Sequence, residues 1–156
     1  NKGQIIAMDI YSKKLKELKR RAKRAGAHNI DIRLIESSKA IKKLIGKADR
    51  VLIDAPCSGL GVLRRNPDAK WKLKPEFLDN IKQTQSSILS SYSRMVKPGG
   101  QLVYATCSIL PSENRAQVDK FLTSDSGKEF TFVKEKIVLS HESGYDGFYM
   151  AMLERN

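Results

Sequence analysis

The chain has 156 residues, of which 40% are hydrophobic and 29% charged, so a single domain with a core of its own is expected. Lysine and arginine outnumber aspartate and glutamate by 29 to 17, and the net charge of +12 favours a polyanionic partner, with nucleic acid as the first candidate. The composition argues against collagen-like and fully disordered chains, and no apolar run is long enough to span a bilayer.

The first part of the chain alternates short apolar strands with helices. Strands are predicted over residues 4–9, 31–35 and 50–54. An amphipathic helix is predicted from Ser12 to Gly26, and a short helix over residues 38–45.

A longer helix is predicted from Pro75 to about residue 96, where Pro98-Gly99-Gly100 stops it. A strand over 101–106, a helix from Pro111-Ser112 and two closing strands over 130–138 and 147–153 follow. This alternation predicts an α/β fold with a mostly parallel sheet and helices on both faces. Nucleotide-binding domains of this class open with a strand and a Gly-rich turn. The segment after the first strand contains no glycine, so we expect the first βα unit to be missing.

Acidic and thiol side chains stand at the carboxyl ends of predicted strands, where open α/β sheets bind their ligands. Asp9 ends the first strand and is placed to accept hydrogen bonds from ribose hydroxyls, although an aspartate there can also simply turn the chain into a helix. Asp54 ends the third strand, and Cys57 follows in a loop that Pro56 stiffens. Cys107 ends the fourth strand, so both thiols are expected at one rim. Two thiols and a carboxylate suit covalent catalysis on an electrophile.

Other roles remain open for the thiols. The spacing alone leaves Cys57 evenly balanced between a structural and a catalytic role. A reversible disulfide would be the competing thiol chemistry, but the sequence has no Cys-x-x-Cys spacing to support it. A zinc site needs four ligands, and His28 and His141 are distant in sequence and expected at the surface, so no metal is predicted.

The segments DAPCSGLGVLRRNPDAKW and YATCSILPSEN resemble two signature motifs of the RNA 5-methylcytosine methyltransferases of the NOL1/NOP2/Sun family. The resemblance runs from AMDIYSKKL to the closing GYDGFYMAMLE. It implies a Rossmann-like fold, S-adenosylmethionine as the cofactor and RNA as the substrate, most often small-subunit ribosomal RNA, with transfer RNA as the alternative. Residues 1–156 would form one partial catalytic domain, without the family's Gly-rich cofactor loop and amino-terminal RNA-binding domain.

The resemblance also implies roles for individual residues. Cys107 would be the nucleophile, and Cys57 the second cysteine, which helps to release the product. Asp54 would hold the target cytosine and would also contact the cofactor beside it. Asp9 would bind the ribose of S-adenosylmethionine, and Glu36 would lie in the adenosine pocket, where the family usually has aspartate.

Two groups of cations suit an RNA substrate. The first predicted helix carries eight cations against the single acid Glu17, and we interpret it as a phosphate-binding surface, with a merely solvated face as the alternative. A second cluster follows the Cys57 loop. Its members are Arg64, Arg65, Lys70, Lys72 and Lys74, of which Arg64, Arg65 and Lys70 are expected to contact RNA, as is Pro56 in the Cys57 loop itself. Trp71, within this cluster, would either stack on a base or anchor the loop in the core.

Three other functions compete with an RNA cytosine methyltransferase. A non-catalytic RNA-binding module would bind RNA in a salt-dependent way even after Cys107→Ser. A thiol redox protein would form a reversible disulfide and need no RNA. An amino-group methyltransferase would carry Asn/Asp-Pro-Pro-aromatic where this chain has Asp-Ala-Pro-Cys. For the enzyme we expect a cytoplasmic monomer with reduced thiols and no membrane association.

Overall fold

The computed structural model of the chain describes residues 2–156, except for the side chain of Lys72. The chain separates into two units, Asn1–Leu44 and Ile45–Asn156. The first unit holds two strands and two helices, namely β1 (Ile5–Asp9), α1 (Ser12–Arg24), β2 (Ile30–Leu34) and α2 (Ser38–Lys42). The strands β1 and β2 pair in parallel, with Asp9 opposite Leu34. The predicted end of α1 is confirmed, because Gly26 has a φ of 65°, which glycine adopts without strain.

The second unit is built on a four-stranded sheet in the order β3-β4-β6-β5. Its strands are β3 (Ala48–Asp54), β4 (Val96–Thr106), β5 (Phe130–Val138) and β6 (Phe148–Arg155). Its helices are α3 (Ala69–Lys72), α4 (Pro75–Tyr92), α5 (Arg115–Leu122) and α6 (Ser140–Ser143). A sheet flanked by helices confirms the predicted α/β class.

The sheet of the second unit is mixed, so the expectation of a mostly parallel sheet is wrong here. Only β3 and β4 are parallel, while β6 runs antiparallel to both β4 and β5. The connection from β5 to β6 covers residues 139–147 only. Parallel neighbours need a crossover of about a dozen or more residues, so this connection makes an antiparallel pair.

Several element boundaries also differ from the predictions. The helix α2 ends at Lys42 rather than residue 45, and α4 ends at Tyr92 rather than about residue 96. The strand β4 begins at Val96 rather than residue 101, and the register of its pairing with β3 shifts as it passes Pro98-Gly99-Gly100. The helix α5 begins at Arg115 rather than Pro111, because the backbone of Asn114 is not helical (φ −107°, ψ −109°). The side chain of Asn114 is engaged in the site described below.

The core of the second unit fixes the ends of β3 and β4. Leu102 and Tyr104 of β4 are fully buried, as are Tyr149 and Leu153 of β6. Because alternate residues of β4 are buried in this way, the strand is held in register where Cys107 leaves it. Among the helices of described residues, none is both long enough and apolar enough to cross a membrane.

Candidate active site

The two thiols meet at the carboxyl ends of β3 and β4. Asp54 lies opposite Ala105 in the parallel pairing, and the backbone N–H of Ala55 donates to the carbonyl of Ala105 at 2.9 Å. This brings Cys57 Sγ to 3.2 Å from Cys107 Sγ, within hydrogen-bonding distance. The prediction that both thiols share one rim is confirmed. Both cysteines are free and half-buried.

The contact between the sulfurs makes the two thiols unequal. Donation from the Cys57 thiol stabilises a thiolate on Cys107 and lowers the pKa of Cys107 to about 7, against opposing effects of burial and of the Asp54 and Glu113 carboxylates. The same contact, followed by burial, raises the pKa of Cys57 far above its ordinary value. A substantial fraction of Cys107 is therefore thiolate near neutral pH while Cys57 keeps its proton, and Cys107 is the better nucleophile.

A buried carboxylate joins the loops that carry the thiols. Glu113 is fully buried, and its Oε2 accepts hydrogen bonds at 2.5 Å from the hydroxyls of Ser58 and Ser108. Its Oε1 accepts from the backbone N–H of Ser58 at 2.8 Å and from Gln85 Nε2 at 3.0 Å. Ser58 and Ser108 each directly follow one of the cysteines, so Glu113 bridges the two loops immediately behind the thiols.

Asn114 holds the residues on either side of Cys107. Thr106 Oγ1 donates to Asn114 Oδ1 at 2.5 Å, and Asn114 Nδ2 donates to the carbonyl of Ser108 at 2.9 Å. The N–H of Ser108 in turn donates to Thr106 Oγ1 at 3.2 Å. These hydrogen bonds hold the backbone turn that contains Cys107 in one conformation.

The loop of Pro56 is tied to helix α4. Gln85, fully buried in α4, donates from Nε2 to the carbonyl of Pro56 at 2.9 Å, while the Pro56 ring itself is exposed. Asp54, at the end of β3, is also exposed. The open side of the site therefore presents a carboxylate, a proline ring and two half-buried sulfurs.

The two predicted RNA-binding arginines hold a neighbouring loop. Arg64 Nη1 donates to the carbonyl of Gly144 at 2.6 Å, and Arg65 Nε lies 2.6 Å from Asp146 Oδ2. Both side chains remain exposed, so these bonds leave part of each guanidinium facing solvent.

Trp71 lies outside the core. Its side chain is 79% exposed, and Lys70 Nζ lies 4.7 Å from the centre of its ring. The alternative that Trp71 anchors the loop in the core is therefore wrong. Lys74 is exposed, and the predicted contribution of Lys72 to this cluster lies outside the described side chains.

In the first unit, the candidate cofactor residues Asp9 and Glu36 lie at the carboxyl ends of the neighbouring strands β1 and β2. The N–H of Ile35 donates to the carbonyl of Asp9 at 3.0 Å, so the ends of β1 and β2 run side by side. The Asp9 carboxylate accepts from the N–H of Tyr11 at 2.8 Å and lies 3.6 Å from Lys14 Nζ. Glu36 follows Ile35 and is exposed. Two carboxylates at one edge of a parallel pair are a donor set that suits the hydroxyl and amino groups of a nucleoside.

Glu113, Asn114, Ser58, Ser108 and Gln85 were not predicted as site residues. A signal was present for four of them, since both strand-end cysteines are followed by serine and YATCSILPSEN ends in Glu-Asn. Gln85 lies mid-helix with no such signal. The histidines are exposed as predicted, and the described part of the chain contains no group of three or more His, Cys, Asp or Glu side chains that could hold a metal ion.

Solved structures share this arrangement of strands. The chain is similar to the protein solved as PH0851, with 33% identity and a TM-score of 0.91 over 99% of this chain and 37% of that one. It is also similar to NSun6 from Pyrococcus horikoshii, solved with SFG, with 25% identity and a TM-score of 0.85 over 99% of this chain and 42% of that one. The fold is that of the S-adenosylmethionine-dependent methyltransferases.

The family follows from the sequence relatives. A family model described as 16S rRNA methyltransferase RsmB/F matches residues 1–154, so the chain belongs to the RsmB/F family, and the resemblance to the NOL1/NOP2/Sun methyltransferases is confirmed. The ribosomal RNA small subunit methyltransferase B of Photorhabdus laumondii is 38% identical over 162 residues, which cover 98% of this chain and 37% of that protein. The chain spans 37–38% of the length of four such curated relatives.

Proposed function

We propose that this chain carries the catalytic centre of an RNA cytosine-C5 methyltransferase that uses S-adenosylmethionine and acts on small-subunit ribosomal RNA. The observation that carries the proposal is the 3.2 Å contact between Cys57 and Cys107 at the ends of two adjacent parallel strands. The choice of RNA is supported by the names of the relatives and by the net charge of +12.

In the proposed reaction, Cys107 attacks C6 of the target cytosine. A new S–C6 bond forms, and the electrons of the C5=C6 double bond move toward N3. This addition makes C5 nucleophilic, which it is not in the aromatic ring. The thiolate is the attacking species, and the hydrogen bond from Cys57 stabilises it near neutral pH.

We assign Asp54 to the binding of the target cytosine ring. Its exposed carboxyl lies at the end of β3, next to the two thiols. In its protonated form, this carboxyl can donate its O–H to N3 and accept a hydrogen bond from the exocyclic amine of cytosine. Such a contact orients the ring and stabilises the charge that develops at N3 during addition.

Cys57 assists the release of the product. A base removes the C5 proton, the electrons of that C–H bond restore the C5=C6 double bond, and Cys107 leaves as a thiolate. The Cys57 thiol, 3.2 Å away, donates a hydrogen bond to the departing sulfur. It thereby stabilises the leaving group at the step where negative charge returns to it.

S-Adenosylmethionine, when bound, supplies an electrophilic methyl group on its sulfonium. We assign Asp9 and Glu36 to its nucleoside part, because both lie at the carboxyl ends of neighbouring strands and their carboxylates can accept hydrogen bonds from hydroxyl and amino groups. This assignment is supported by the similar NSun6 structure, which was solved with SFG, an analogue of S-adenosylmethionine.

RNA reaches the site as an unpaired or flipped-out nucleotide, since C6 is inaccessible in a duplex. We assign the exposed ring of Trp71 to base stacking, and Lys70, Arg64 and Arg65 to the flanking phosphates. Pro56, exposed in the loop beside Cys57, would pack against the target base.

The test traps the covalent intermediate. The Cys57→Ala variant is made in the protein translated from the complete open reading frame that contains this chain, and it is incubated with cellular RNA and S-adenosylmethionine. We expect a protein–RNA adduct that survives denaturation, because release is impaired, while addition through Cys107 still occurs, although more slowly without the hydrogen bond from Cys57. Sequencing of the trapped RNA identifies the substrate.

The matched control is the Cys57→Ala/Cys107→Ser double variant, which must form no adduct. An adduct that persists in the double variant, or RNA binding with no adduct in either variant, would overturn the catalytic assignment. In the second case the chain would be an RNA-binding module.

A further inference from the structure

The carboxylate of Glu113 is placed where neither RNA nor cofactor can touch it. The side chain is fully buried and accepts four hydrogen bonds, from Gln85, the two serine hydroxyls and the N–H of Ser58. Burying a carboxylate is costly unless its oxygens are satisfied, and here both are. An arrangement of this kind holds other groups in place.

Each of the two cysteine loops donates one serine hydroxyl to Glu113. The hydroxyl of Ser58 and that of Ser108 lie 3.2 Å apart and both donate to the same carboxylate oxygen. The sulfurs of the preceding residues, Cys57 and Cys107, also lie 3.2 Å apart. Each loop is therefore fastened one residue after its cysteine.

We propose that Glu113 is a positioning residue that keeps Cys57 and Cys107 in contact by binding the serine that follows each of them. The role of Glu113 in methyl transfer rests on the function proposed above, whereas its effect on the two thiols does not.

The charge of Glu113 and the position in which it holds the two thiols have opposite effects on the pKa of Cys107. The titratable groups that act on Cys107 are Cys57, Asp54 and Glu113, and both carboxylates by themselves raise the pKa of Cys107. The hydrogen bond from Cys57 is the larger effect and lowers it. Removing the carboxylate charge alone would thus make Cys107 more reactive near neutral pH, and separating the two thiols would make it less reactive.

The test measures the alkylation rate of Cys107 by iodoacetamide as a function of pH, without RNA, with the labelled peptide identified by mass spectrometry. The variant is Glu113→Gln, which preserves shape but replaces one acceptor oxygen with an NH2 group, so the side chain can no longer accept all four hydrogen bonds. We expect alkylation near pH 7 to slow roughly tenfold, as the pKa of Cys107 moves toward the value of about 8.5 of an ordinary thiol.

Glu154→Gln is the matched control, because it removes the same charge from an exposed position of β6 and should leave the profile unchanged. A second comparison uses Cys57→Ala as the background. That variant has no second thiol to donate to Cys107, so Glu113→Gln should no longer slow the alkylation of Cys107.

Two results would overturn the proposal. Faster alkylation in Glu113→Gln would show that the charge, and not the geometry, is what Cys107 senses. An unchanged profile with reduced thermal stability would assign Glu113 to stability alone.

If Glu113→Gln does not fold, Ser58→Ala serves as the second variant, because it removes one of the hydroxyl hydrogen bonds to Glu113. It should slow alkylation of Cys107 to a smaller extent. An unchanged profile in that variant would equally count against the proposal. Failure to trap an RNA adduct would count against the proposed enzyme and leave this result standing.

Discussion

Gly61 brings the Cys57 loop within backbone contact of two other segments. Its N–H donates to the carbonyl of Cys107 at 2.9 Å, and its carbonyl accepts from the N–H of Gly147 at 2.7 Å. A Cβ at this position would lie 2.1 Å from the carbonyl oxygen of Gly147 and 2.7 Å from that of Cys107. Space, and not backbone conformation, therefore requires glycine here.

We predict that Gly61→Ala lowers the free energy of unfolding by about 2–4 kcal/mol, because the backbone on both sides must move. Urea denaturation measures the loss. Gly99→Ala is the control, since Gly99 has a φ of 73° and open space around it. It should lose only about 1–2 kcal/mol from the left-handed conformation. Equal losses in the two variants would mean that the close approach at Gly61 is relieved without cost.

At the scale of elements, α1 is the most strongly charged helix. Its acid Glu17 is paired with Arg20 and Arg21 at 2.7–2.8 Å, and Lys14 lies beside Asp9. The further cations of α1 are solvent-exposed, and among them Lys16, Lys19 and Lys23 recur at helical spacing along one face. This row is the surface that we expect to follow an RNA backbone.

Replacing Lys16, Lys19 and Lys23 with alanine should weaken RNA binding and reduce the slope of log affinity against log salt, by about 0.7–0.9 for each phosphate that the variant no longer neutralises. Filter binding over a series of salt concentrations measures both quantities. The control replaces three exposed lysines in and next to α2, namely Lys39, Lys42 and Lys43. If both triple variants bind RNA equally weakly, the attraction comes from net charge and α1 has no special part in it.

At the scale of the whole molecule, the two units differ in how much core they contain. Among the described residues, the buried apolar side chains of the first unit are Leu15, Ile41 and Leu44. The second unit contains the remaining buried apolar side chains around a four-stranded sheet, whereas the first has a two-stranded sheet. Two-stranded sheets are marginal in water unless other elements cover them.

We therefore predict that backbone amides in β1 and β2 exchange with deuterium faster than those in β4 and β6. The fully buried Leu102 and Leu153, which face each other across β4 and β6, should be among the slowest. Hydrogen exchange followed by mass spectrometry measures this directly. Equal protection in both units would show that they unfold as one cooperative body.

Much of the fold and part of the site could be predicted from the pattern of residues. The apolar runs before Asp54 and Cys107 are short and bounded by turn residues, so both strand ends were correctly located. The pairing of β6 between β4 and β5 and the late start of α5 were not predicted. The first depends on which edge of the sheet the last strand pairs with, and the second on the hydrogen bonds of the Asn114 side chain. Neither changes the local pattern of apolar and polar residues.

The sequence by itself determined the α/β class, the family motifs and the presence of two thiols at strand ends, because these depend on local order along the chain. Only the tertiary structure decided that Cys57 and Cys107 touch, that Glu113 binds behind both of them, and that Trp71 faces solvent. The physical reason is that a contact between residues 50 positions apart is set by strand register and by the packing of buried side chains. No stretch of neighbouring residues encodes either one alone.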